Sequence, residues 1–190
     1  MRKPANYENV QTFGEFTPIE LGGHILIIKQ VKVETLENGR EMVKIAFDTH
    51  TTDKQPNYYD SQFKNNTNQD KKWQGVKVEW PLTAKGDPNP FFKAFNESVK
   101  KSNNGWEVQW DEKEGINEKF EKCFMGKLVG GVFGKEEYLH NGEVKMSTKC
   151  VAFRSVEAIK TGVPIPKVKL LDGSNNNGDL TPVNDGDMPF

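Results

Sequence analysis

Residues 23–33, GHILIIKQVKV, set how the rest of the chain is read. The run is rich in β-branched side chains, and in its second half Ile28, Val31 and Val33 alternate with Lys29 and Lys32. That is the pattern of a strand with one apolar face. Glu37-Asn38-Gly39 supplies the chemistry of a hairpin turn. Residues 40–49, REMVKIAFDT, return as a second strand, with Val43, Ile45 and Phe47 on one face and Met42, Lys44, Ala46 and Asp48 on the other.

Towards the C-terminus, residues 53–72 are polar, aromatic-spiked and without period, and read as a long loop. Residues 73–80, WQGVKVEW, alternate again. Parity assigns Val76, Val78 and Trp80 to the core and Trp73, Gly75, Lys77 and Glu79 to the opposite face. Asn89 and Pro90 open a helix whose apolar stripe is Phe91, Phe92, Phe95 and Val99, and residues 102–105, SNNG, stop it. Residues 106–122 begin as a short alternating strand at Trp106, Val108 and Trp110 and are then open between loop and helix.

Residues 124–133, FMGKLVGGVF, form a strand whose glycines mark a bulge, a sharp bend or a close approach. His140-Asn141-Gly142 is a second hairpin turn, and Glu143 to Arg154 is the last long strand. On it Val144, Met146, Thr148, Cys150, Ala152 and Arg154 read as the core face, leaving Lys145, Ser147, Lys149, Val151 and Phe153 outside. Residues 155–166 read as a short helix or turn broken by prolines.

These elements predict a mainly β protein: an OB-fold-like five-stranded antiparallel barrel with one helix packed on it, over residues 21–171. An open antiparallel sheet with one packed helix is the nearest competitor. Residues 1–20 are expected as an extended arm. Residues 172–190 are rich in Gly, Asn and Asp and are expected as a disordered acidic tail.

A length of 190 residues favours one domain with appendages. Formal net charge is −1, but the tail holds four acids and no base, and without it residues 1–171 carry +3. Cys123 and Cys150 form no metal-binding spacing and read as reduced thiols, and no leader or membrane span is evident, so a cytoplasmic location is expected. No phosphate-binding loop is present and His24, His50 and His140 are scattered, so no enzyme activity, cofactor or metal is expected. Asp48, Asp53 and Asp60 are the one carboxylate group that could hold a nuclease metal, and solvated acids are their ordinary explanation.

The last residues, Asp185-Gly186-Asp187-Met188-Pro189-Phe190, resemble the C-terminal tip of bacterial and phage single-stranded DNA-binding proteins. Gly186 departs from that pattern, where a further acid is usual. A terminal Phe presents a ring and an α-carboxylate together, and the acids steer it to a basic rim. The body is also similar to phage-encoded proteins of replication and recombination gene clusters. That likeness lies in residues 126–134 (GKLVGGVFG) with Glu136-Glu137-Tyr138, and in Arg154-Ser155-Val156 with residues 163–167 (VPIPK). The resemblance implies binding of single-stranded DNA without strong sequence preference, with a helicase, polymerase or recombinase recruited through Asp185, Asp187, Met188, Pro189 and Phe190. A protein-interaction adaptor and a single-strand annealing accessory factor are the alternatives.

Sequence-independent binding needs aromatic faces for bases and cations for phosphates. The candidates are Lys29 and Lys32 on the first strand, Arg40 and Lys44 on the second, and Trp73 and Lys77 on the third. Lys127, Lys145 and Lys149 follow, with Tyr58, Tyr59, Lys71 and Lys72 in the long loop. Trp80 reads as structural, and the tyrosine pair as the best stacking platform.

Overall fold

The computed structural model describes residues 1–3, 7, 17–113 and 115–171. Residues 172–190, with the acidic tip, and most of the expected arm lie outside these. The strands are β1 (Gly22–Thr35), β2 (Glu41–Thr49), β3 (Val76–Glu79), β4 (Leu128–His140) and β5 (Glu143–Arg154). The helices are α1 (Tyr58–Asn65), α2 (Pro90–Ser102), α3 (Glu118–Cys123) and α4 (Val156–Thr161).

The five strands form one sheet in the order β3-β2-β1-β4-β5, with every neighbouring pair antiparallel. The edge strands β3 and β5 therefore run in the same direction. Among the described residues no ladder joins them, so the sheet is open at that seam rather than a closed barrel. β1 serves two partners, pairing residues 26–35 with β2 and residues 22–27 with β4. Asn141 (φ 52°) and Gly142 (φ 80°) both lie in the left-handed region, as a two-residue hairpin matched to strand twist requires.

The glycines of β4 mark close approach and lie beside a bulge. A Cβ on Gly130 would sit 2.3 Å from Ile159 of α4, and one on Gly131 would sit 2.4 Å from Leu26 of β1. The core is aromatic: Phe47 meets Tyr59, Phe133 and Phe153 edge-on, and Phe95 of α2 stacks on Phe124. Helix α2 starts as expected, with the Asn89 side chain accepting from the Phe91 N–H at 3.0 Å. Phe92, Phe95 and Val99 are buried, whereas Phe91, expected in the same stripe, is 64% exposed.

Three further expectations, on the loop and on two strands, are corrected. First, the supposed loop at 53–72 contains α1. Its own N-cap, Asn57, makes no side-chain cap bond. The end of β2 does the capping instead: Thr49 Oγ1 accepts from the Tyr58 N–H, and Asp48 accepts from the N–H groups of Tyr59 and Asp60. Second, β3 faces the other way. Lys77 lies opposite Ile45 and Glu79 opposite Val43, so both point to the core side, while Val76 and Val78 share the outer face with Ala46 and Lys44. Lys77 and Glu79 tolerate this because their charges meet at 3.0 Å. Third, the face assignment of β5 holds only at Cys150. Val144 and Met146, expected inside, are 58% and 46% exposed at the end of the hairpin where Leu139, the partner of Val144, also stands exposed, and beyond Cys150 the parity itself reverses. Phe133 pairs with Cys150 and Val132 with Ala152, so Val151 is an extra residue that reverses the parity and turns Phe153 inward.

Residues 17–20, expected in the arm, belong to the folded unit. Ile19 is a core residue, and His24 ties this segment to residues 53–55. Its Nδ1 lies 2.8 Å from Asp53 Oδ1 and its Nε2 lies 3.0 Å from the Glu20 carbonyl. Burial pushes the Asp53 carboxyl up, but hydrogen bonds from His24 and from the Gln55 and Ile25 N–H groups outweigh it and hold the group below the usual carboxylate range.

Candidate nucleic-acid interface

The outer face of β1, β2 and β3 follows from the register. Gln30 lies opposite Ala46, which lies opposite Val76; Lys32 lies opposite Lys44, which lies opposite Val78. Lys29 is the extra residue of a bulge between Ile28 and Gln30 and stands exposed. An aromatic residue stands at each end of β3, Trp73 before it and Trp80 after it.

Each of these tryptophans belongs to a group that includes a cation. The Arg40 guanidinium lies over the Trp80 ring at 4.6 Å, so Trp80, expected in the core, is a half-buried partner of a surface arginine. Lys71 Nζ lies 4.6 Å from the Phe63 ring, which is 5.8 Å from the Trp73 ring. Trp73 is half-buried, its indole N–H shared between the carbonyls of Phe47 (3.0 Å) and Gly75 (3.2 Å). On the β4–β5 arm, Lys149 Nζ lies 5.9 Å from the ring of exposed Tyr138.

Several expected contacts sit differently. Tyr59 is 7% exposed and packed on Phe47, so its ring offers no face to a base. Burial also pushes its hydroxyl pKa far up. Tyr58 is only half-buried. Lys77 is turned to the core side and occupied by Glu79. Lys32 pairs with Glu121 at 3.5 Å, Lys44 with Glu34 at 2.6 Å and Lys145 with Glu143 at 3.7 Å. Glu136 is shared by Lys149 at 3.4 Å and Lys169 at 2.7 Å, and its bond to Lys169 holds its carboxyl below the usual range. Lys29, Lys72 and Lys127 make no ion pair among the described residues.

Beside the β3–β5 seam lies a cavity of about 420 Å³, lined by Tyr58 and Gln62 of α1, Gln74 and Val76 of the β3 side, and Met146 and Lys149 of β5. Phe63 reads from sequence with Tyr58 and Tyr59 as an aromatic of the loop, whereas Gln62 escaped the sequence reading because α1 itself did, and Gln74 escaped it because it lies before β3 and carries no local signal. The signal was the spacing of Tyr59, Gln62 and Phe63, which fits one helix face.

The carboxylates that could have held a metal are individually engaged. Asp48 caps α1, Asp53 holds His24, and Asp60 pairs with Lys64 at 2.6 Å. No group able to hold a metal ion occurs among the described residues. Burial pushes the Cys150 thiol up to about 12. Among the described residues no helix is long and apolar enough to cross a membrane.

No protein-family profile matches the chain, and no curated protein matches it.

Proposed function

We propose that the chain is a single-stranded DNA-binding protein of the OB type, which holds the strand across the outer face of β2 and β3 without reading its sequence. The observation that carries this reading is the set of cation–aromatic groups around β3: Arg40 on Trp80, Lys71 on Phe63 beside Trp73, and Lys149 on Tyr138. Rings at half-exposed positions with cations beside them are what stacking bases and tracking phosphates require. The strand order supports the OB identity. Joining parallel edges β3 and β5 would close the sheet into a five-stranded barrel, with α2 and α3 in the connection from β3 to β4. The acidic tip at 185–190, on this reading, recruits a replication or recombination protein in a phage-infected cell.

The test is a titration of fluorescent oligo-dT against an equal-length duplex at low salt. Preference for the single strand is the expected result. Equal affinity for both, or no binding, refutes the reading.

One observation favours an interaction adaptor with weak DNA affinity. Lys32, Lys44, Lys77, Lys145 and Lys149 are each already paired with a glutamate. On that reading the same titration returns no binding while the chain stays folded.

A further inference from the structure

We propose that the cavity at the β3–β5 seam is a nucleotide pocket that receives one base of the single strand, turned out from its neighbours. This rests on the single-strand reading above and adds a site to it.

On the core side of the seam Lys77 of β3 lies 6.0 Å from the Phe153 ring of β5. The cavity lies between Gln74 and Val76 on one side and residues 146–149 on the other, with Tyr58 and Ile19 also lining it. The volume of about 420 Å³ falls within the range of small-molecule sites, about 300–1,000 Å³.

Its lining has the chemistry of a base site. Val76, Met146 and the half-buried Tyr58 ring offer apolar surface to a ring. The Gln62 amide and the Thr148 hydroxyl offer donors and acceptors, and Gln74 Oε1 and the lone pairs of Ser147 Oγ offer acceptors. Gln74 Nε2 already donates to the Lys72 carbonyl at 3.1 Å, and Ser147 Oγ to the Glu136 carbonyl at 3.4 Å. β3 and β5 are sheet edges, so main-chain N–H and C=O groups facing the seam have no ladder partner, although the Val76 N–H is taken by the Gln74 carbonyl at 2.8 Å. Such groups match the polar edge of an unstacked base, and every base has one.

A phosphate is provided for at the mouth. Glu136 is one carboxylate between two ammonium groups, Lys149 and Lys169, so the three together carry net +1. A phosphate can take Lys149 while Lys169 keeps Glu136 neutralised. Tyr138, the aromatic partner of Lys149, lies on the adjacent strand of the same arm.

The experiment uses the full chain with oligo-dT carrying 5-iodouracil, photocrosslinked and mapped by peptide mass spectrometry. Crosslinks at Tyr58 or Met146 are expected. Tight binding with crosslinks only at Trp73 or Trp80, or with none, overturns the pocket and leaves the single-strand reading standing. Failure to bind at all overturns both. In parallel, Lys149→Ala is expected to weaken oligo-dT binding several-fold and to lower the salt slope by about 1, with an unchanged thermal melt. Unaltered affinity and slope in that variant also overturn the pocket.

Discussion

Asp48→Ala tests the link from sequence to site most directly, because one buried carboxylate holds the helix that carries Tyr58 and Phe63. Asp48 is fully buried at the end of β2. Its Oδ1 accepts from the N–H groups of Thr49 and Tyr59, both at 2.8 Å, and its Oδ2 accepts from Asp60 at 3.3 Å. Truncation to Ala leaves the Tyr59 and Asp60 donors at the helix start without an acceptor. A hydrogen bond to a charged group is worth about 1.5–3 kcal/mol, and the Asp60 bond is long, so its share is smaller. Together they give a loss of about 3 kcal/mol. Asp48→Asn keeps one side-chain oxygen and is expected to lose about half as much. Urea unfolding followed by tryptophan fluorescence measures both, and a shift of midpoint at constant slope identifies the loss as native-state stability. The freed helix should also loosen Trp73, whose indole bonds the Phe47 and Gly75 carbonyls beside Tyr59. Stability within about 0.5 kcal/mol of the parent for Asp48→Ala would refute the capping argument and return Asp48 to the list of carboxylates free for other chemistry.

Trp80→Ala removes the ring under Arg40 at a half-buried position, and oligo-dT titration should show on the order of tenfold weaker binding with a near-parental melt; unaltered binding would remove Trp80 from the interface. Glu34→Gln releases Lys44 from its 2.6 Å ion pair, so affinity for oligo-dT at low salt should rise about two- to threefold and its salt dependence steepen. Asp53 has its pKa depressed in the fold, so its stabilising contribution is complete above about pH 4 and lost as pH falls through the folded value. Asp53→Asn should therefore melt lower at neutral pH and lose part of the acid-side decline, which thermal melts across pH 2–7 would reveal. Deleting residues 172–190 removes four acids and no base, so oligo-dT binding should persist or tighten, and abolition of binding would contradict a separable tail.

The mainly β class, the antiparallel pairing of the long strands and helix α2 were legible because each rests on a repeated local signal. Residues 143–154 alternate over a full strand, the Asn141-Gly142 turn has the one chemistry its backbone angles allow, and Asn89-Pro90 marks a helix start. What escaped depends on partners distant in sequence. α1 has no capping side chain of its own; its caps are Asp48 and Thr49, whose bonds to it span 9, 11 and 12 residues of chain. The face assignment of β5 failed in two places: Val144 and Met146 stand exposed toward the end of the hairpin, outside the core, and at Val151 a bulge adds a residue without any local mark in the sequence. The parity of β3 failed for a different reason. Two valines look like a core face, yet a four-residue edge strand takes its orientation from its neighbour, and β2 commits Val43 and Ile45 to the core.

That reversal decides which residues a ligand can meet. Had Val76 and Val78 been inside, Lys77 would have been a free cation on the outer face. Instead Lys77 neutralises Glu79 at the seam, and the outer face of β3 is apolar between two tryptophans. The cations reach the face from its surroundings, from Arg40 beyond the β1–β2 turn, from Lys44 on β2 and from Lys71 after α1. A strand laid along β3 would thus meet apolar surface under its bases and charge at its margins, the arrangement in which stacking supplies affinity and phosphates supply the salt dependence. Because Lys44 must exchange Glu34 for a phosphate, while Lys169 keeps Glu136 neutralised when Lys149 is taken, the salt slope should be shallower than a count of nearby lysines would give.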